Sequence, residues 1–265
     1  VQFALPVAGD NDIQIINNLR DQVQNLKEMW TGRTPAGIPM VPDELTEAAF
    51  YGREDVAALL DEGKVPLGLD LETVEPVTWD LKKGNLLYLT DKEEQMTQFV
   101  KQIARSKQKV IVLAPAYNEL PEIEGVTILS TKEDYVAGIK KMEENIQLRL
   151  EQQKSQHEAT IVLYNQLELM NDLSMDLQSS LNYVLEKGAR AGYATVAMSG
   201  SQLNRKIDEV SKSIKLYKQA VVAMRIADQS VLNVINRPVR EEPLDSQVNY
   251  YVEDGFVRKV KVLMK

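Results

Sequence analysis

Three observations predict an α/β domain built on a mostly parallel β-sheet with helices on both faces. Short runs rich in β-branched residues recur between Val65 and Met224. They alternate with amphipathic helical stretches, and 44% of the 265 residues are hydrophobic, enough for a sizeable core. Such a length suits one large domain or two small ones.

The elements follow in order. Asp10 or Asn11 can cap a first helix running to about Trp30, because Ile13, Ile16, Leu19, Val23, Leu26 and Met29 recur at three- and four-residue steps. A helix with such a face is expected to pack on the domain that follows. The turn-rich T-G-R-T-P-A-G-I-P-M-V-P then breaks the pattern. This places a linker and N-terminal helix over 1–37 and a single domain over 38–265. Short helices are expected at Asp43–Tyr51 and Asp55–Asp61. Strand-like runs follow at Val65–Leu69, Val77–Leu81 and Asn85–Leu89, the first two as an antiparallel hairpin. A helix over Lys92–Arg105 leads to strands at Lys109–Ala114 and Val126–Leu129. A charged helix over Thr131–Gln156 comes next, about 39 Å long at 1.5 Å per residue. Then come a strand at Thr160–Tyr164, a helix at Met175–Ala191 ended by Gly192 as C-cap, and strands at Ala194–Met198 and Ala220–Met224. The tail alternates over Val248–Val252 and Phe256–Leu263 around Glu253-Asp254-Gly255, the pattern of a β-hairpin.

Composition excludes several function classes. With 31 basic residues dispersed among 39 acidic ones, a net charge of −8 and a pI near 5.0, there is no clustered cation surface for nucleic acid. Without Cys there is no disulfide, thiolate nucleophile or Cys-based metal site. The single His157 lies in the polar run Q-Q-K-S-Q-H-E-A and reads as a surface residue. No apolar run approaches the ~20 residues that span a bilayer, and the start lacks a charged-then-apolar signal pattern. The opening V-Q-F-A-L-P-V-A reads as a cut through an interdomain linker of a longer protein.

The stretch most informative about chemistry is K-K-G-N-L-L-Y-L-T-D-K-E-E-Q-M-T-Q-F-V-K-Q-I-A from Lys82. An apolar strand, a tight connection and an amphipathic helix form the frame on which P-loop NTPases carry G-x-x-x-x-G-K-[ST]. Thr90 falls at the first Gly, Gln95 at the second, Met96 at the Lys and Thr97 at the Ser/Thr, with Asp91, Lys92, Glu93 and Glu94 between. Glycines let backbone N–H groups approach phosphate oxygens closely, and Thr90 and Gln95 put Cβ atoms there. Met96 removes the cation, Glu93 and Glu94 add negative charge, and only Thr97 keeps a hydroxyl. A second loss lies in A-T-I-V-L-Y-N-Q-L-E-L-M. There Asn165 and Gln166 stand where an acidic pair at the end of a strand would hold Mg²⁺ and orient water.

Beside these losses, V-P-L-G-L-D-L-E-T-V-E-P-V-T-W-D-L (Val65 to Leu81) resembles the "(I/V)P-(I/L)-G-L-D" lead-in of the FtsK/SpoIIIE family. E-K-G-A-R-A-G-Y-A-T-V-A-M-S-G (Glu186 to Gly200) resembles its "G-R-x-x-G-I-H" segment. The order of pieces agrees from about Ile38 to Lys265. The lead-in from Met29 to Pro42 resembles the start of an ATPase repeat in type VII secretion coupling proteins; the likeness is greatest to the C-terminal, degenerate ATPase domain of the EssC type. The resemblance implies a RecA-like P-loop fold with an N-terminal helical lead-in and a C-terminal β-hairpin. It also implies a soluble piece on the cytoplasmic face of a bacterial membrane, with transmembrane segments elsewhere in the longer chain. Its partners would be small helical-hairpin secreted substrates with a Trp-x-Gly turn and neighbouring ATPase domains of the same chain, with homo-hexameric rings as the assembly. No catalytic residue, metal site or cofactor is expected, beyond weak residual ATP and Mg²⁺ binding. Arg190 stands where a sensor or trans-acting arginine sits in active relatives.

Other readings stay open on the residues. Thr97 and Arg190 would support a domain still hydrolysing ATP when completed in a ring. A DNA translocase module is opposed by the acidic balance, and a purely structural spacer fits the lost motifs. Asn204, Arg205 and Lys206 are expected on the nucleotide side of the sheet but read as solvated surface. Glu93 and Glu94 suit a helix N-terminus better than acid–base work. Tyr250, Tyr251, Phe256 and the stripe Met198, Leu203, Ile207, Val210 and Ile214 are candidate binding surface, with core the competing reading.

Overall fold

A computed structural model describes residues 7–32, 40–236, 240–241 and 243–263. The chain forms two units, Val1–Pro39 and Met40–Lys265. In the first, α1 (Asp12–Met29) is capped by Asn11, whose side chain accepts from Gln14 N at 2.9 Å. Asp12 in its first turn and Lys27 in its last complement the helix dipole. Within this unit none of its residues is buried. Most of the turn-rich stretch after it, residues 33–39, lies outside the described residues.

The second unit begins with α2 (Glu47–Tyr51) and α3 (Glu54–Asp61) and then builds one ten-stranded sheet. Its strands are β1 (Val65–Asp70), β2 (Pro76–Trp79), β3 (Leu86–Leu89), β4 (Val110–Leu113), β5 (Val126–Leu129), β6 (Ala159–Leu163), β7 (Tyr193–Ser199), β8 (Gln219–Val222), β9 (Val248–Glu253) and β10 (Phe256–Lys261). The helices between them are α4 (Glu93–Ala104), α5 (Lys132–Glu151), α6 (Gln166–Asp172), α7 (Met175–Lys187) and α8 (Glu209–Lys215). The spatial order is β2-β1-β10-β9-β8-β3-β7-β6-β4-β5. From β8 to β5 neighbouring strands run parallel, and the β2-to-β9 side is antiparallel. Strand β7 is thus inserted between β3 and β6, the two strands that would carry a phosphate loop and a metal ligand.

Alternation along each central strand feeds two cores. Leu87 and Leu89 face the side covered by α5, α7 and α8, with Tyr135, Ile139, Leu181, Val184 and Ile214. Leu86 and Tyr88 face the other side, where α4 adds Met96, Phe99, Val100 and Ile103. Tyr88 stacks on Phe99 with ring centroids 4.6 Å apart. Burying each such side chain contributes roughly 1.5–3 kcal/mol. A third cluster of Leu45, Phe50, Val56, Leu69 and Leu263 fastens α2 and α3 to β1.

Several expectations are corrected. Helix α5 ends at Glu151, not Gln156, because Gln153 takes a left-handed φ of 53°. Its start is set by a Thr131–Asp134 capping box. Helix α7 tightens into a 3-10 turn over Gly188–Ala191 before Gly192, whose φ of 86° stops it. The stripe from Met198 to Ile214 is not one helix face but spans β7, a 3-10 turn and α8. All of it is buried except Ile207. Tyr250 and Tyr251 are both buried, since helices and loops cover both faces of the sheet here, and Phe256 alone of that group points outward.

Candidate functional site

Strand β3 ends at Leu89 and α4 begins at Glu93, so only Thr90, Asp91 and Lys92 connect them. A phosphate cradle wraps its anion with more residues than that, and glycine-free backbone cannot approach as closely. Several polar groups of the turn are engaged by the protein itself. Thr90 N donates to Ser199 O at 3.0 Å, and Thr90 Oγ1 accepts from Lys92 N at 3.1 Å while donating to the Gln95 amide oxygen. Asp91 Oδ1 accepts from Ser201 N at 2.9 Å. That contact requires Gly200, because a Cβ there would lie 2.6 Å from Asp91 Oδ1. The N–H groups of Gln95 and Met96 turn back to Lys92 O, at 3.1 and 3.3 Å, instead of converging on a ligand. The Met96 side chain, at the place of the phosphate-binding lysine, is buried in the α4 core.

The helix and β6 are joined by a tyrosine that motif reading passed over. Tyr164 follows β6 directly; its hydroxyl donates to Glu93 O at 3.1 Å and lies 3.0 Å from Thr97 Oγ1, which donates to it. Burial raises the Tyr164 pKa, with the Thr97 hydrogen bond opposing and the Glu93 charge adding to the rise. Thr97, the one residue that keeps its Walker-type hydroxyl, is therefore engaged. Asn165 adopts a left-handed φ of 46° to start α6, and its amide reaches Tyr117 OH at 3.2 Å. Gln166 is wholly buried; its amide donates to Ser211 Oγ at 3.3 Å and accepts from Ser199 Oγ at 3.4 Å. An acid at Gln166 would bury a charge between two hydroxyls, whereas the neutral amide uses both ends. The structure thus joins the start of α4 to Tyr164, the residue before Asn165, while Gln166 is held by Ser199, whose carbonyl also accepts from Thr90 N.

The remaining candidates fall elsewhere. Arg190 is exposed in the turn before β7, whereas Thr90 meets the far end of that strand, roughly 20 Å along it at 3.3 Å per residue. Asn204 brackets a loop through Ser201 O, Asp228 O and Val231 N, which is a structural role. Among the described residues no group of three His, Cys, Asp or Glu side chains could hold a metal ion.

Hollows flank α4, and two of them adjoin the turn that leads into it. One is an open cleft of about 700 Å³ lined by Glu47, Glu93, Glu94, Glu119, Lys101, Tyr117 and Tyr164, where four carboxylates face one ammonium group. Asn118 binds Glu93 there at 3.1 Å, and burial followed by Glu168, Glu93 and Asp172 raises the Tyr117 pKa. The other is a half-enclosed cavity of about 250 Å³ between α4 and the β-strands. Leu67, Tyr88, Phe99, Val221, Val262 and Leu263 give it an apolar wall, and Gln95, Gln98 and the buried Gln102 also line it. Burial raises the Tyr88 pKa, opposed by a hydrogen bond with Asn249. No sequence signal marks this cavity, because its walls come from α4, from β1, β3, β8 and β9, and from the residues just after β10, all distant in the chain.

No family model matches the chain. Over 92% of its length it is 25% identical to the type VII secretion system protein EssC of Staphylococcus aureus (strain MRSA252), and over 98% it is 27% identical to the ESX secretion system protein YukB of Bacillus subtilis (strain 168). It spans 17% and 19% of the lengths of those relatives. EssC (ATPases 2 and 3) from Geobacillus thermodenitrificans superposes with a TM-score of 0.80 at 19% identity, covering 97% of this chain and 52% of that one. Thermomonospora curvata EccC (ATPases 2 and 3), in complex with a signal sequence peptide, does so with a TM-score of 0.63 at 16% identity, covering 97% and 50%. At such identities these structures establish the fold alone.

Proposed function

Because the chain is related over nearly its whole length to EssC-type type VII secretion proteins and carries the fold of their ATPase domains, we propose that it is a degenerate ATPase domain that recognises a secreted partner and does not turn over nucleotide. The observation that carries this reading is the closure of the nucleotide place: a three-residue turn, a buried Met96, and the Tyr164 hydroxyl between Thr97 and Glu93 O. Phosphoryl transfer depends on positioning phosphates and Mg²⁺, and these groups hold neither. A residually active domain needs the Thr97 hydroxyl, which is already bonded to Tyr164.

Recognition is supported by the apolar cavity beside α4, where one large side chain of an amphipathic helix would be desolvated as an anchor. The partner class is a small helical-hairpin protein with a Trp-x-Gly turn. The complex of the EccC relative with a signal sequence peptide agrees with that class. In the longer protein this domain would work beside neighbouring ATPase domains, in rings of six, on the cytoplasmic face of the bacterial membrane, regulating the motor without driving it. No helix among the described residues is long and apolar enough to cross a membrane, so the anchoring part would lie elsewhere.

The test is a calorimetric titration of the chain with the small helical-hairpin proteins exported by the same system, without nucleotide, repeated with Gln98→Trp. That substitution places a bulky ring in the cavity lining on α4. Saturable binding that Gln98→Trp weakens at least tenfold, with unfolding temperature unchanged, is expected. Binding indifferent to Gln98→Trp would remove the cavity from the account, and no binding to any of them would remove recognition.

A further inference from the structure

Within its own unit, helix α1 presents an apolar face that no described residue of that unit buries. Ile13, Ile16, Leu19, Val23, Leu26, Met29 and Trp30 keep 39–76% of their surface in solvent. An 18-residue helix with no buried residue is marginal in water, and one containing Asn17, Asn18, Asn25 and β-branched Ile13, Ile15, Ile16 and Val23 is more so. Its helical state therefore calls for a partner surface.

The spacing says which. From Ile13 to Met29 the steps are 3, 3, 4, 3 and 3, a series that reads the same from either end. Set antiparallel against itself, Ile13 meets Met29, Ile16 meets Leu26, and Leu19 meets Val23. The face is thus self-complementary about a two-fold axis, as an isologous contact requires. In heptad terms Ile16 and Val23 are a positions and Leu19 and Leu26 d positions, so each a packs against a d of the other helix. Antiparallel dipoles attract, and Asp12 comes within a turn of the partner's Lys27. The area suffices: seven side chains so exposed offer on the order of 600 Å² per helix, or roughly 1,200 Å² for a pair, against the about 1,000 Å² a specific interface needs.

We propose that α1 is a self-association element that pairs two copies of this chain antiparallel. The contact is two-fold and separate from the head-to-tail contacts of a ring. It does not depend on the cavity or on the fate of nucleotide.

The chain has no Cys, so single cysteines report contacts cleanly. Sedimentation and light scattering of the full chain should give twice the 29.9 kDa of one copy at tens of micromolar. When Ile16→Cys and Leu26→Cys chains are mixed under oxidation, the 16–26 hetero-disulfide should outnumber either homo-disulfide at least fivefold. Leu19→Glu with Val23→Glu should give monomer and shift Trp30 emission to the red, while Trp79, fully buried in the other unit, is unmoved. Mixing that variant with Leu19→Lys/Val23→Lys should restore the pair. A single-copy mass at every concentration, predominance of the 16–16 disulfide (a parallel pair), or a dimer indifferent to the double Glu variant would each overturn the proposal. So would Trp30 emission that stays blue-shifted on dilution of a monomer, since α1 would then be covered within one chain.

Discussion

Removing one oxygen atom, in Tyr164→Phe, probes the closure of the nucleotide place with the least change in shape. The hydroxyl makes two hydrogen bonds, 3.1 Å to Glu93 O and 3.0 Å to Thr97 Oγ1, at a side chain 1% exposed. Each contributes about 1 kcal/mol net, and the Thr97 hydroxyl is left without its acceptor, so the loss is ~1–2 kcal/mol. For a body of this size each kcal/mol moves the midpoint by ~2–4 °C, which predicts a fall of roughly 2–8 °C. Differential scanning calorimetry measures the midpoint, and urea titration checks that the slope, and so the surface exposed on unfolding, is unchanged. Mg-ATP titration of the same variant should remain silent, because the turn is still three residues long and Met96 is still buried. An unchanged midpoint would show that the hydroxyl holds nothing. A variant that gained micromolar Mg-ATP affinity would show that Tyr164 was the only obstacle, refuting the reasoning from loop length.

Gly200→Ala should cost ~1–3 kcal/mol in chemical denaturation, because its Cβ would sit 2.6 Å from Asp91 Oδ1. In an Asp91→Ala background the same change should be nearly neutral, and a full penalty there would assign the strain elsewhere. Burial raises the Tyr135 pKa to about 12 from 10, and its hydroxyl donates to Ala114 O at 2.5 Å. The native state therefore favours the neutral phenol. Its contribution is complete below pH 10 and is lost as pH rises toward 12. Alkaline denaturation of Tyr135→Phe should accordingly be shallower over that window than that of the parent chain; equal slopes would deny Tyr135 a part.

Sequence alone reached the layered architecture because its signals are local. The runs at Val65, Leu86, Val110, Ala159 and Tyr193 are β-branched or aliphatic and bounded by turn residues, and the chain alternates them with helices. The tail hairpin was legible from alternation about Asp254-Gly255, both at positive φ. Its pairing with β8 on one side and β1 on the other was not, since nothing local encodes which distant edges meet. Helix α6 escaped notice because it starts from Asn165 in a left-handed conformation, with no side-chain cap. At the site, the lost glycines, lysine and carboxylates could be read position by position. What replaced them could not: Tyr164 belongs to no motif, and Gln166 reaches Ser199 and Ser211 across 33 and 45 residues of chain. The cavity beside α4 escaped for the same reason.

The central claim is that this ATPase fold no longer binds nucleotide, and isothermal titration of the unmodified chain with Mg-ATP tests it most directly. The account predicts no saturable heat up to millimolar ATP, with the triple variant Gln95→Gly, Met96→Lys, Asn165→Asp equally silent and less stable, since it buries a lysine in the α4 core. Saturable binding of Mg-ATP by the unmodified chain at micromolar affinity would contradict it.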